Sequence, residues 1–280
     1  MYYTKMHGAG NSFILIENLH GELQSEDLSV LALRLCKPDS GPGADGFIVL
    51  IPSDSSADFG MLFYNADGSL GEMCGNGARC AARYGFEHGL SSDPDNIRIL
   101  ATAGLVTGRR ITQEDYEIRL NNPSMIDLHR RVAARNETVV CSYIELGSPG
   151  IPHAVVQADP AKISDPESLR SLAVTLRYSP AFPKGANITF VAMESDNCIR
   201  AITYERGVED FTLACGTGCG AAAVSLMLSG TVKGDQLDIL MPGGKLHTHI
   251  LRNNDSLESI LLTGPTAIVS EGIFHTSSPY

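Results

Sequence analysis

Two short segments place a reactive side chain at what reads as the start of a helix. They are Cys74-Gly75-Asn76-Gly77, followed by Ala78, Cys80, Ala81 and Ala82, and Cys215-Gly216-Thr217-Gly218, followed by Gly220, Ala221, Ala222 and Ala223. Glycines flanking the residue after each cysteine allow a tight turn that aims successive N–H groups outward, and a helix opening there adds its positive end. An anion is expected at such a place. The same field lowers a thiol's pKa, so Cys74 and Cys215 are candidate acid/base groups or nucleophiles. Buried free cysteines that only pack are common; it is the duplication of the loop that argues for chemistry. If two such helix starts face one cleft, one thiolate can take a proton from a carbon while a thiol on the opposite side returns one, inverting the centre. The α-carbon of an amino acid is a very weak acid, so charge moving onto its carboxylate must be stabilised where it develops. Two converging helix starts would do this. The six lysines carry no pyridoxal-phosphate signature, so a racemase or epimerase without a cofactor is expected. No Cys-x-x-Cys pair occurs among the seven cysteines, and no metal site is expected.

The elements that must position these residues also occur twice. Gly10 and Gly150 precede their cysteines by the same distance to within one residue, as do Gly43-Ala44-Asp45 and Gly185-Ala186-Asn187, and Tyr64-Asn65 and Tyr204-Glu205. Each half reads as a short strand (Phe13–Glu17; His153–Gln157), a helix (Glu26–Cys36; Pro166–Leu176) and a second strand (Phe47–Ile51; Ile188–Met193). A hairpin-like region (Met61–Asn65; Ile199–Glu205) and the small-residue helix after each cysteine follow. Strand-like alternation returns in Tyr116–Leu120, Leu237–Met241 and Ile260–Thr263. The expected fold is α+β: two homologous lobes related by a pseudo-twofold axis, each a mixed β-sheet wrapped around a central helix, with the active site in the cleft between them. The lobes are expected at residues 1–122, completed by a C-terminal strand at 266–280, and at 136–265. The turn signal Asn-Asn-Pro marks the connector between Asn121 and Arg135.

Composition excludes other classes. The 280 residues are 43% hydrophobic with net charge −11, enough for a proper core. No basic block compensates the acidic excess, so neither nucleic acid nor an anionic membrane is an expected partner. The longest apolar runs fall far short of a membrane span, and the N-terminus lacks the apolar stretch of a secretory signal. A cytoplasmic protein with reduced thiols is expected, with Cys36, Cys80, Cys141, Cys198 and Cys219 as core or helix-face residues. Gly41–Gly46 fits a dinucleotide fingerprint in spacing but precedes a strand instead of following one.

In His7-Gly-Ala-Gly-Asn-Ser-Phe13, Gly43-Ala-Asp45, Asn65-Ala-Asp-Gly-Ser69, Met73-Cys-Gly-Asn-Gly-Ala-Arg79, Pro152-His153, Asn187, Tyr204-Glu-Arg-Gly207 and Ala214-Cys-Gly-Thr-Gly218, in that order, the chain resembles the diaminopimelate epimerases. The resemblance implies two similar lobes and interconversion of LL- and meso-diaminopimelate without a cofactor, in lysine and cell-wall precursor synthesis. It also implies a homodimer. Cys74 and Cys215 match the acid/base pair, and the backbone at Gly75-Asn76 and Gly216-Thr217 matches the groups holding the reacting carboxylate. Asn11, Asn65, Asn187 and Arg206 match substrate-contacting positions, with Arg206 the fork for the far carboxylate. His153 and Glu205 match residues that hold the reacting amino group and tune the cysteines. From the residues alone, Asn11 and Asn65 could instead shape turns, His153 could be a loop histidine, and Glu205-Arg206 an exposed charged pair.

Two departures bear on the substrate. Gly46 stands where the family often has Gln, and Gly150-Ile151-Pro152-His153 where it often has Gly-Asn-Pro-His, so two amides are missing. Phe211, between Arg206 and Cys215, stands in a stretch that is usually acidic in the family. A cofactor-independent racemase of another amino acid, such as histidine, is the alternative within the same chemistry. A non-catalytic amino-acid-binding protein is the alternative outside it.

Overall fold

A computed structural model describes residues 1–275 apart from 55, 72, 135, 136, 254 and 255. Residue 136, where the second lobe is expected to open, and residues 276–280 of the expected closing strand lie outside the described residues. The chain divides into two compact units, one made of Met1–Ile118 and the chain from Gly264 onward, the other of Arg119–Thr263.

The first unit runs β1 (Tyr2–Gly8), β2 (Asn11–Glu17), α1 (Ser25–Leu35), β3 (Gly46–Ile51), β4 (Phe59–Asn65), β5 (Leu70–Gly71), α2 (Gly75–Glu87), β6 (Asn96–Ala101), β7 (Gly104–Arg110) and β8 (Asp115–Leu120), whose end passes into the second unit. The second runs β9 (Pro123–Ala134), β10 (Glu137–Leu146), β11 (Ile151–Gln157), α3 (Pro160–Ser164), α4 (Glu167–Arg177), β12 (Asn187–Ser195), β13 (Cys198–Glu205), β14 (Asp210–Thr212), α5 (Gly216–Leu228), β15 (Gln236–Met241) and β16 (Gly244–Asn253). The last strand, β17 (Ser256–Ile273), begins there and ends in the first unit.

Strand pairing repeats step for step. In the first unit β1 is antiparallel to β2, β2 parallel to β3, β3 antiparallel to β4, β4 parallel to β6 and β6 antiparallel to β7. In the second, β10 through β16 repeat the sequence: antiparallel, parallel, antiparallel, parallel, antiparallel. Both units are therefore mixed sheets, and the fold class is α+β with two homologous lobes. Each parallel crossover carries a helix, as such connections require. The registers make position-by-position equivalents: Phe13–Gly46 across β2 and β3 corresponds to His153–Asn187 across β11 and β12, and Phe47–Tyr64 across β3 and β4 to Ile188–Tyr204 across β12 and β13, which makes Asn65 and Glu205, each one residue beyond its tyrosine, equivalents too.

The stretch read from sequence as a connector is largely a strand. Pro123–Ala134 pairs antiparallel with β10 as the end of β17 pairs with β1. Its side chains become buried only at Val132 and Ala134, so no apolar alternation announces it. Likewise Ile260–Thr263 is a fragment of an 18-residue strand. Pro265 lies between the residues that pair with β16 and those that pair with β1, where no ladder N–H is needed.

The helices sort by burial. On β2, Ile14 and Ile16 pack with Leu28, Leu31, Ala32 and Leu35 of α1 and with Phe47 and Val49 of β3. In the second unit, α4 contributes Leu169, Ala173 and Leu176 to a core with Ala154, Val156, Ile188 and Phe190. The helices after the cysteines are buried almost throughout, Gly75–Ala82 in α2 and Gly218–Met227 in α5. Their small residues are a packing necessity: a Cβ on Gly220 would lie 2.7 Å from Leu120 Cδ1, and one on Gly85 would run into Ile97 and Phe59. The same rule explains Gly8, where a Cβ would lie 2.9 Å from the Asn76 carbonyl oxygen.

Candidate active site

Each cysteine is the N-cap of its helix. Cys74 (φ −129°, ψ 111°) and Cys215 (φ −122°, ψ 105°) adopt nearly the same extended backbone, and each accepts through Sγ from the N–H three residues on, Gly77 or Gly218, both at 3.4 Å. A sulfur thus occupies the capping place that Ser or Asp would ordinarily fill. The first-turn N–H groups around it have no intrahelical acceptor, as at any helix start.

In the first unit the sulfur is backed by an amide chain. Asp45 Oδ2 accepts from the Ser12 N–H at 2.7 Å, the Ser12 hydroxyl at 2.8 Å and Asn11 Nδ2 at 3.2 Å. That fixes the Asn11 amide so that its Oδ1 accepts from Asn76 Nδ2 at 3.2 Å and lies 3.8 Å from Cys74 Sγ. Asn76 in turn accepts at Oδ1 from the buried Arg79 guanidinium at 2.8 Å. Asn11 therefore reaches the cysteine and does more than shape a turn. Asn65 donates to the Ser69 hydroxyl at 2.9 Å and its backbone closes the turn to Ser69, so it does hold the β4–β5 turn. Gly46 lies under the Phe63 ring: a Cβ there would sit 2.5 Å from Phe63 Cε2, so this aromatic fills the space a longer side chain would need.

In the second unit Cys215 stands among carboxyl and hydroxyl groups. Thr217 Oγ1 lies 3.7 Å from Sγ, and the Glu205 carboxyl, which hydrogen-bonds both Cys215 and the Thr212 hydroxyl, is pushed up by burial. The paired hydroxyls of Thr189 and Thr203, 3.0 Å apart, lie behind Gly218. The sequence-based expectation that the helix start lowers this thiol's pKa is not met. Burial and the negative charge of Glu205 hold Cys215 well above the ordinary thiol value, and the Gly218 N–H only partly offsets them. Burial also pushes Cys36 and Cys80 up to about 12 and Cys141 to about 11, which keeps them neutral core thiols.

His153 is fully buried on β11, with no hydrogen-bond partner at either ring nitrogen. Burial, and then the Arg206 charge, lower its pKa to about 3, so the ring is neutral. Its strand-register neighbour Asn187 has its amide in use, donating to the Pro152 carbonyl at 3.3 Å and accepting from the Arg206 N–H at 2.8 Å. Asn187 thus positions the Arg206 backbone, and the Arg206 guanidinium donates to the Lys184 carbonyl at 3.0 Å. Glu209, at φ +58°, closes the turn beyond Arg206 by accepting from the Gly207 N–H at 3.0 Å.

The structure gathers Asn11, Cys74, Gly75 and Asn76 in one unit, and His153, Asn187, Glu205, Arg206, Cys215, Gly216 and Thr217 in the other. Sequence reasoning gave no role to Asp45, Thr212, Thr189, Thr203 or Phe63. Asp45 stood within a quoted motif; the others depend on strand register. Among the described residues no group of three His, Cys, Asp or Glu could hold a metal ion, and no helix is long and apolar enough to cross a membrane.

This two-lobed arrangement recurs in solved structures. A probable proline racemase from Agrobacterium radiobacter K84 matches with a TM-score of 0.71 at 17% identity, over 99% of this chain and 93% of that one. A Bacillus anthracis phenazine biosynthesis protein of the PhzF family matches with a TM-score of 0.74 at 12% identity, over 97% and 98%. The fold is the two-lobed α+β fold of these chains. The family model for diaminopimelate epimerase matches residues 3–122 and 147–269. Diaminopimelate epimerases from Aquifex aeolicus and Methanothrix thermoacetophila are 33% and 34% identical to this chain, over 97% of both chains and 98% of both chains respectively. The chain belongs to the diaminopimelate epimerase family: it is an isomerase, an amino-acid epimerase.

Proposed function

We propose that the chain interconverts LL- and meso-diaminopimelate by a two-base mechanism, with Cys74 and Cys215 on opposite sides of one α-carbon and no cofactor. The observation that carries this reading is the same cysteine-capped helix start built twice, in a chain of this family. One cysteine, as thiolate, takes the α-proton and becomes a thiol. The other, as thiol, gives its proton to the opposite face and becomes the thiolate, so charge and protons balance. The raised pKa of Cys215 favours Cys215 as the proton-bearing partner in the free protein and Cys74 as the base. N–H groups at Gly75-Asn76 and Gly216-Thr217 would receive the charge that develops on the reacting carboxylate. His153, neutral and without a partner in its own fold, and Glu205 would hold the amino group. Arg206 would take the far carboxylate, with Asn11, Asn65 and Asn187 completing the pocket. A homodimer working in the cytoplasm, in lysine biosynthesis, completes the proposal.

Ile151 and Gly46 favour a second reading, a racemase of another amino acid, because neither offers the amide usual in the family. Proton NMR in deuterated water separates the two. Loss of the α-proton signal of LL-diaminopimelate, and not of L-histidine, L-glutamate or L-lysine, is the expected result. Exchange only with one of the other three would move the function to a different racemase and keep the cysteine chemistry.

A further inference from the structure

One ion pair beside Arg206 has an architecture that stability does not explain. Glu145 on β10 is 9% exposed, next to the residue that pairs with His153. Its Oε1 accepts from the Tyr143 hydroxyl at 2.6 Å and its Oε2 from Lys184 Nζ at 2.9 Å, and these partners hold the carboxyl below its ordinary range. The backbone at Gly150 closes over the carboxylate: a Cβ there would lie 2.7 Å from Oε2. The Arg130 guanidinium caps the Tyr143 ring at 4.0 Å. All of this fixes the head of a lysine whose side chain is 57% exposed. An ion pair with so exposed a partner contributes little to folding.

Lys184 is tied to Arg206 as well, since its carbonyl accepts from the Arg206 guanidinium. The Arg206 charge also acts on the Tyr143 hydroxyl that binds Glu145, so the Lys184 and Arg206 cations both act about one carboxylate, with Arg130 over the ring beside it. Glu145 engages one of the three ammonium donors of Lys184. Ile151, register partner of Leu146 on the same pair of strands, adds no polar group there.

The geometry points to Lys184, pinned by Glu145, as a second cation that reads the far carboxylate of the substrate together with Arg206, a specificity-determining residue in place of the amide absent at Ile151. This rests on the proposed function, in which Arg206 receives that carboxylate. Glu145 acts as a positioning residue: it touches Lys184 and keeps its head in place.

The test uses the full chain, with α-proton exchange followed by NMR. Lys184→Met is expected to raise the KM for LL-diaminopimelate about tenfold, as the loss of one charge-assisted contact would, with kcat unchanged. The inhibition constant of L-lysine, which lacks a far carboxylate, should not move. Lys184→Arg should restore KM, and Glu145→Gln should raise it by a smaller factor. A structural role would lower kcat for every variant without rescue by arginine. An unchanged KM in Lys184→Met, with wild-type protein exchanging diaminopimelate normally, overturns the role of Lys184 alone. Failure of the wild-type protein to exchange diaminopimelate overturns the functional reading, and this role with it.

Discussion

At Cys215 burial and, after it, the charge of a buried carboxyl pull against the helix start, and together they prevail. Removing that charge tests the balance: in Glu205→Gln, alkylation of Cys215 by iodoacetamide should reach half its maximal rate at lower pH than in the wild type. An unshifted profile, read by peptide mass spectrometry, would mean that burial alone sets the thiol. Replacement of either cysteine by serine touches only the proton relay. Cys74→Ser and Cys215→Ser should lose turnover on the order of 10²–10⁴-fold while substrate binding is largely kept; a variant near wild-type turnover would exclude that residue as an acid/base. His153 leaves a different mark, on stability. Its folded pKa of about 3 lies below the ordinary 6.5, so below 6.5 the unfolded chain binds a proton that the folded chain refuses. Stability contributed by the neutral ring is whole above 6.5 and falls by about 1.4 kcal/mol per pH unit until the folded ring titrates. His153→Gln should flatten the acid side of the denaturation curve between about pH 6 and 4, and an identical slope in the two proteins would contradict the buried neutral state.

The two helix starts look alike in sequence but are packed to different tolerances. A Cβ on Gly218 would meet Thr189 Oγ1 at 2.9 Å, Thr203 Oγ1 at 3.0 Å and Cys215 Sγ at 3.2 Å, whereas on Gly77 it would meet Ile48 Cδ1 at 3.1 Å and Cys74 Cβ at 3.5 Å. Gly218→Ala must push a hydroxyl pair or the sulfur itself, while Gly77→Ala presses mainly on the end of a flexible isoleucine. Gly218→Ala should therefore cost at least about tenfold more in kcat than Gly77→Ala, since small misplacements of reacting groups are costly; equal losses would show that the threonine wall yields. The same contrast marks what can be read without a structure. The capped helices, their buried small-residue faces and the β–α–β order were legible, because Cys-Gly-x-Gly and the apolar periods are local signals. The threonine pair, the Phe63 ring over Gly46 and the Asp45 anchor of Asn11 were not, because each depends on which residues of separate strands come level. Pro123–Ala134 was missed for the complementary reason: its outward residues are polar and its pairing to β10 has no local signature.

Over the whole chain, the repeated order of parallel and antiparallel pairings shows one plan used twice, and the register shows where the copies diverged. Phe13, Gly46 and Asn65 stand where the second copy has His153, Asn187 and Glu205. The second copy thus carries two titratable groups and an amide at these positions, and the first an aromatic, a glycine and an amide. Division of labour of this kind suits a reaction in which each copy supplies one sulfur and one helix start, while the second copy supplies the charged groups that grip the rest of the substrate. The proposed mechanism then makes a demand on the intact molecule, since two sulfurs serving one carbon must be able to approach each other when no substrate separates them. Mild oxidation of the free protein is expected to join Cys74 to Cys215, abolish α-proton exchange and release it again with a thiol reductant. Of the remaining cysteines, Cys36, Cys80, Cys141 and Cys219 are buried and Cys198 half-buried, and all five should stay reduced in the peptide map. Full activity in a sample whose mass and peptide map show the Cys74–Cys215 crosslink would refute a shared reaction centre. Loss of substrate binding on oxidation that proceeds equally fast in Cys74→Ala would instead place the oxidative damage outside this pair.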